Sequence, residues 1–208
     1  YLGVCRSLWN WGTLSGQNLV GVGTNLKFYI ERGGAYYDVT PIRATVTLTN
    51  PFYTTSGSAV VSVHATAHGG ITGDYVTFSG ASTVAGLNLN NEYSITVVDV
   101  NTYTITASST ASGTVSGGGG TVTAAYQINT GAAIQVPFVG WGGGGFGSGV
   151  WGYGDSTLAP IRLWSQSNFG EDLVFSYRGG PLFYWAAASG VGTRGVYVSS
   201  MSGATSVP

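Results

Sequence analysis

Charge is what this sequence has least of. Asp, Glu, Lys and Arg together make up 7% of its residues, against about 25% in ordinary soluble domains. There is one lysine, Lys27, and the arginines at 6, 32, 43, 162, 178 and 194 are thinly spread. Nucleic-acid interfaces gather Lys and Arg on one face or stripe, so specific duplex binding does not fit. Dispersed monomers keep charge on their surface, so a chain this poor in it suits burial against neighbours. The other reading is an extracellular β-protein kept soluble by Thr, Ser and Gly. Cys5 is the lone cysteine, which excludes an intrachain disulfide; its VCRSL setting suits a small buried hydrophobe. No apolar run approaches the ~20 residues of a membrane-spanning helix, no secretory signal opens the sequence, and no stretch has helical periodicity. The start at Tyr1, in mid-pattern, is expected of a trimmed product.

Glycine and aromatic residues are abundant instead, with 35 glycines and 13% Phe, Trp and Tyr. They fall into a long-range repeat. Leu8-Trp9, Leu19-Val20 and Phe28-Tyr29 recur as Leu163-Trp164, Leu173-Val174 and Phe183-Tyr184. Short aromatic and β-branched runs at this spacing, broken by Gly, Asn, Ser and Asp, predict consecutive antiparallel strands. Each copy has roughly the 40–45 residues of a four-stranded propeller blade. Propellers need about 4–8 blades, so the chain is expected to be part of a larger protein or assembly. The fold class expected is all-β: partial β-propeller blades with an inserted small β-barrel or β-sandwich.

Four segments follow. Residues 1–43 form the first blade, with strands at 4–9, 18–22, 26–30 and 36–39 and a hairpin at Glu31-Arg32-Gly33-Gly34, where glycine can take positive φ. Residues 44–130 are an insertion of different texture, with strands at 45–48, 59–63, 75–79, 93–98, 102–106 and 121–128. Its clearest signal is alternation on both arms of the hairpin around Asp99-Val100-Asn101. Residues 131–157 are a Gly/Trp-rich linker in which Trp141, Phe146, Trp151 and Tyr153 are candidate packing or interaction residues. Residues 158–208 are the second blade and a tail.

Chemistry is sparse. His64 and His68 are spaced for a metal on a helix, but they sit in strand-to-turn sequence without nearby Cys or acidic partners. Glu171 and Asp172 are adjacent and would point to opposite faces of a strand, the wrong geometry for an acid–base couple. Asp74 follows Gly73 at a turn, where Asp bonds local backbone. There is no GxSxG elbow, and GGGG at 117–120 and 142–145 lacks the Lys-Ser/Thr of a phosphate loop. No catalytic, cofactor-binding or metal residue is assigned, and no cofactor is expected. Trp9, Trp164 and Trp185 are expected in the core; a sugar-stacking platform is the alternative.

The runs CRSLWNW, NLVGVGTNLKFYIERGGAYYDVTPIR, GWGGGGFGSGVWGYG and RLWSQSNFGEDLVFSYRGGPLFYW together resemble the tail nozzle, or distal tail-hub, proteins of short-tailed bacteriophages. The resemblance implies a β-propeller platform with inserted β-domains, assembled with other tail proteins as a homo-oligomeric ring, typically of six copies, in the virion tail. DNA would pass through its lumen during ejection without specific binding. A conduit needs few cations, because each phosphate contact adds salt-dependent affinity. HATAHGGITGDYVTFSGA and LNNEYSITVVDVNTYTI resemble a small β-barrel module of phage tail proteins. That module is similar in fold to the half domain bearing the first catalytic-cysteine region of ubiquitin-activating enzymes. Cys5 lies outside it, so only the fold is implied. The alternative function is a phage adhesin or glycan-binding module using loops 54–58 and 80–91 with Trp141 and Trp151. A glycan-degrading enzyme is a third reading, disfavoured by the scarcity of placed acids. Excising residues 44–130 is expected to leave a soluble product with the blades' assembly contacts intact, read out by gel filtration; loss of all soluble product would refute this division.

Overall fold

The structure is a computed structural model that describes residues 1–134 and 161–205. It is all-β, built from antiparallel sheets, and divides into two units. One comprises Tyr1–Thr40 with Gly131–Pro208; the other is Pro41–Thr130.

The first unit begins with a four-stranded meander of β1 (Cys5–Gly12), β2 (Asn18–Thr24), β3 (Phe28–Arg32) and β4 (Ala35–Asp38), hydrogen-bonded in that order. Gly33 and Gly34 turn β3 into β4 with φ of +61° and +88°, the positive values that a two-residue hairpin of this hand requires.

The second unit contains β5 (Ile42–Leu48), β6 (Phe52–Tyr53), β7 (Val60–His64), β8 (Tyr75–Ser79), β9 (Glu92–Ser94), β10 (Thr96–Asp99), β11 (Thr102–Thr106), β12 (Ser116–Gly117) and β13 (Val122–Gln127). They form two sheets, β10-β11-β7-β6-β12 and β5-β13-β8-β9. Alternate residues of both sheets, among them Val61, Val63, Val76, Phe78, Tyr103, Ile105, Val122 and Ala124, share one buried core, as in a sandwich. The expected single strand over 93–98 is two. Ser94 pairs with Tyr75 in one sheet and Thr96 with Thr104 in the other. The buried Ile95 is the corner, its N–H held by the Asp74 carbonyl at 2.9 Å. Alternation runs through the corner, so the sequence reads as continuous. Asp74 also ties down the exit of this unit. Its carboxylate accepts bonds from the Ile71 and Thr130 backbone N–H groups, the Thr130 hydroxyl and the Asn129 amide, at 2.7–3.0 Å.

The first unit resumes with β14 (Trp164–Phe169), β15 (Asp172–Tyr177), β16 (Leu182–Trp185) and β17 (Val196–Tyr197), a second four-stranded meander. The two meanders pack face to face. Phe28 stacks on Phe175 at 4.1 Å between ring centroids and leans on Trp164 at 4.9 Å. The Trp164 indole N–H donates to the Thr24 carbonyl at 2.7 Å, and the Trp11 indole N–H donates to the Glu171 carbonyl at 2.8 Å. Leu19, Ile30, Leu173 and Phe183 complete this core with at most 2% exposure.

Gly21 and Gly23 of β2 make that packing possible. A Cβ on Gly23 would come within 2.4 Å of the Trp164 ring, and one on Gly21 would collide with the Gln166 amide. Overpacking of this kind costs about 1–3 kcal/mol. Gly23→Ala is therefore expected to lower the unfolding free energy by that amount in denaturant titrations. Gly12→Ala, whose added carbon would sit 3.9 Å from its nearest neighbour, should change it by less than about 0.5 kcal/mol.

Candidate functional site

Trp141, Phe146, Trp151 and Tyr153 lie outside the described residues. What the described residues offer is a set of faces, and their polarity can be worked out from the backbone. For an L-residue in an extended strand, strand direction and the side to which its N–H and C=O point fix the face its side chain occupies. Let each meander be viewed with its first strand running upward at the left and the other three to its right. Residues of that first strand whose N–H and C=O point at the second strand then project toward the viewer, the front.

In the first meander the Thr13 N–H donates to the Gln17 carbonyl at 2.9 Å. Continuing the antiparallel alternation, Trp11↔Leu19 and Trp9↔Gly21 are hydrogen-bonded pairs, so Trp9 and Trp11 are on the front. In the second, the Arg178 N–H donates to the Leu163 carbonyl at 2.8 Å. Ser165↔Ser176 and Ser167↔Val174 are therefore the hydrogen-bonded pairs, which puts Trp164 and Gln166 on the back. Trp11, Phe28 and Gly23 meet Trp164, Phe175 and Trp185 across the interface. The meanders thus stack front on back, not as a two-fold sandwich of like faces.

One anchor departs from the repeat. Trp9 and Trp11 share the front face, and Trp164 lies on the back face that meets it; within that shared face the second sheet covers position 11 and not position 9. Trp9 is 38% exposed and is not the core residue expected; the second sheet covers Trp11 instead. Trp164 and Trp185 are buried.

One stack end presents the first meander's back face and the other the second meander's front face. On the back face Leu8 is 66% exposed and Tyr36 46%, with the Tyr1 ring against Tyr36 at 4.9 Å. On the front face Phe169 is 75% exposed and Val196 46%, beside half-buried Val174, Leu182 and Tyr184.

The ionisable groups are engaged in structure. Lys27 reaches Asp38 at 2.7 Å with only 3% of its side chain exposed, and Arg194 reaches the other Asp38 oxygen at 3.1 Å. Arg194 also donates to the Thr40 carbonyl at 3.0 Å, and the Thr40 N–H donates to Asp38 at 2.9 Å. Burial alone would raise the Asp38 pKa, but Arg194, Lys27 and the hydrogen bonds from Lys27 and Thr40 outweigh it and hold the carboxyl below its ordinary value. The Asp172 carboxylate accepts bonds from the Tyr184 hydroxyl and the Ala187 N–H, and the hydrogen bond to Asp172 pushes the Tyr184 pKa up. Glu171 accepts from the Leu14 N–H.

In the second unit His64 is exposed and His68 buried. The Gly70 N–H donates to His68 Nδ1 at 3.1 Å, leaving Nε2 to donate to the Asp99 carbonyl at 3.0 Å. Among the described residues no group of three or more His, Cys, Asp or Glu is placed to hold a metal. Tyr103 and Tyr126 share a buried hydroxyl–hydroxyl bond of 3.0 Å. Burial, then Tyr126, pushes the Tyr103 pKa far up, so the pair stays neutral. Loops 54–58 and 80–91 both fasten to 111–115, through Gly57 N–H to Ala111, Thr54 N–H to Val115 and Ser112 N–H to Ala85. Nothing local marks the Lys27–Asp38–Arg194 cluster beyond the oddity of a lone lysine beside an apolar strand. Arg194 comes from too far along the chain to be inferred.

No family model matches the chain, and no curated protein matches it in sequence. Among solved structures, it is similar to phage phi92 endosialidase at 13% identity and a TM-score of 0.40, covering 93% of this chain and 37% of that one. The chain thus spans 37% of that protein's length. Among the described residues no helix is long and apolar enough to cross a membrane.

Because the Asp38 pKa is lowered in the folded state, its stabilisation is present above the unfolded carboxylate pKa and is lost as pH falls through the folded value. Melting temperatures are expected to fall on acidification below about pH 4. Asp38→Ala should cost about 3–5 kcal/mol at pH 7, by leaving Lys27 buried without this carboxylate, and should flatten the acid dependence. An unchanged acid limb would assign that dependence to other groups.

Proposed function

We propose that this chain is a structural protein of a bacteriophage tail whose stacked meanders are blades of a propeller-type ring wall, with the Pro41–Thr130 unit as an inserted module. The observation that carries the reading is the front-on-back stacking of the meanders. Propeller blades related by rotation about a common axis must meet this way, since a two-fold sandwich would bring like faces together. The residue runs that resemble tail nozzle proteins, CRSLWNW and RLWSQSNFGEDLVFSYRGGPLFYW among them, supply β1 and most of the second meander.

On this reading the wall does no chemistry. Its carboxylates serve as Asp38, Asp74 and Asp172 do, fixing backbone and side chains within a fold. A lumen for DNA would be helped by the scarcity of cations. Lys27 and Arg194 are tied to Asp38, which reduces their pull on phosphate. The ring, the tail partners and the passage of DNA are part of this proposal.

A second reading has one specific observation in its favour. Loops 54–58 and 80–91 are both fastened to 111–115, and on this second reading they would together recognise a cell-surface glycan.

Antibodies against this chain, applied to intact particles in cryo-electron microscopy, are expected to decorate the distal end of the tail. Decoration of the capsid shell, or none, would overturn the structural reading. Saturable binding on a glycan array, lost on substitutions in loops 54–58 or 80–91 with the fold retained, would establish the adhesin. Release of reducing ends from host envelope would show an enzyme instead.

A further inference from the structure

A front-on-back stack has a direction. Among the described residues it leaves a front at one end and a back at the other, and a further copy added in the same direction would bring a front and a back together as inside the unit. Each end carries exposed apolar side chains, with Asn10 and the half-buried Glu31 beside them on the back and Ser165, Ser167 and Asp172 beside them on the front. The front end carries Phe169 and Val196, with Leu182 and Tyr184 between them; the back end carries Leu8 and Tyr36. The carboxylate on the front face, Asp172, is already bonded to the Tyr184 hydroxyl and the Ala187 N–H, so covering it leaves those bonds in place.

We propose that the front face of the second meander docks on the back face of the first meander in another copy of this chain, head to tail. The inference rests on the ring-wall reading above and names its interface. A two-fold pairing of fronts would set one Asp172 against another and reverse the stacking direction. A head-to-tail contact continues it. Such heterologous contacts close into a ring when the rotation permits and otherwise run on as a filament.

The test uses the 208-residue chain and two variants, Phe169→Asp at the front and Leu8→Asp at the back, with folding followed by circular dichroism. In sedimentation velocity the parent chain is expected to associate with rising concentration. Each variant should weaken association about tenfold or more. Mixing the two should restore a dimer, because one variant keeps an intact back and the other an intact front. Misfolded variants could not complement each other. Should Leu8→Asp lose its fold, Tyr36→Asp takes its place. Three results would overturn the proposal: a parent chain that stays monomeric, association abolished by Phe169→Asp but untouched by Leu8→Asp, or a mixture that fails to recover. A monomer together with labelled tails would remove this interface and leave the tail assignment standing.

Discussion

The close approach of the Trp164 indole to the backbone of β2 is the constraint on which the first unit depends. Residues 23 and 164 lie far apart in sequence, on either side of the insertion. Only a strand without side chains at positions 21 and 23 lets a tryptophan lie that near. Once it does, the indole N–H reaches the Thr24 carbonyl and the ring edge meets Phe28. Phe28 in turn stacks on Phe175, which packs against Phe183. Aromatic contacts of this kind add about 0.5–1.5 kcal/mol each beyond the area they bury. The indole bond and the stack fix which face of each meander is inside.

The polar groups are arranged around that aromatic stack. Asp38 draws Lys27 from the turn before β3 and Arg194 from the segment leading into β17, while the Gly195 N–H donates to the Val39 carbonyl. The N-terminal half of the unit is thereby clasped to its C-terminal half at one point as it is packed against it at another. A buried charge cluster is weak evidence of net stability. Its value here is in positioning, since salt-bridge geometry tolerates less slippage than apolar packing.

How much of this was legible in the sequence depends on the range of the interaction. The β10–β11 hairpin and the Gly33-Gly34 turn are local, and alternation and glycine mark them in the expected places. Strand 75–79 matches β8 residue for residue. The two-residue strands β6 and β12 carry too few residues for a period and were not expected. The turn role of Asp74 was legible from Gly73-Asp74, but its grip on Asn129 and Thr130 was not, since those partners are set by the meeting of β8 and β13. The repeat located both meanders yet mislocated the core tryptophan of the first. Trp9 and Trp11 alternate onto one face, so periodicity marks both as candidates, and which of them the second sheet covers is set by how far that sheet reaches along β1, a long-range fact. The candidate residues at 141, 146, 151 and 153 lie outside the described part of the chain.

The strands that open and close the inserted unit are themselves neighbours. Ile42 of β5 pairs with Gln127 of β13, and the Ile128 N–H donates to the Pro41 carbonyl. The unit thus holds its own two ends side by side. A flexible segment of its length would charge the surrounding fold a loop-closure entropy that grows with the logarithm of length; here that closure is met internally. To the meanders on either side, the insertion behaves as a short connection between Thr40 and Gly131. Modules of other sizes could be exchanged at this junction with little change to the folding of the stack, so long as their first and last strands pair.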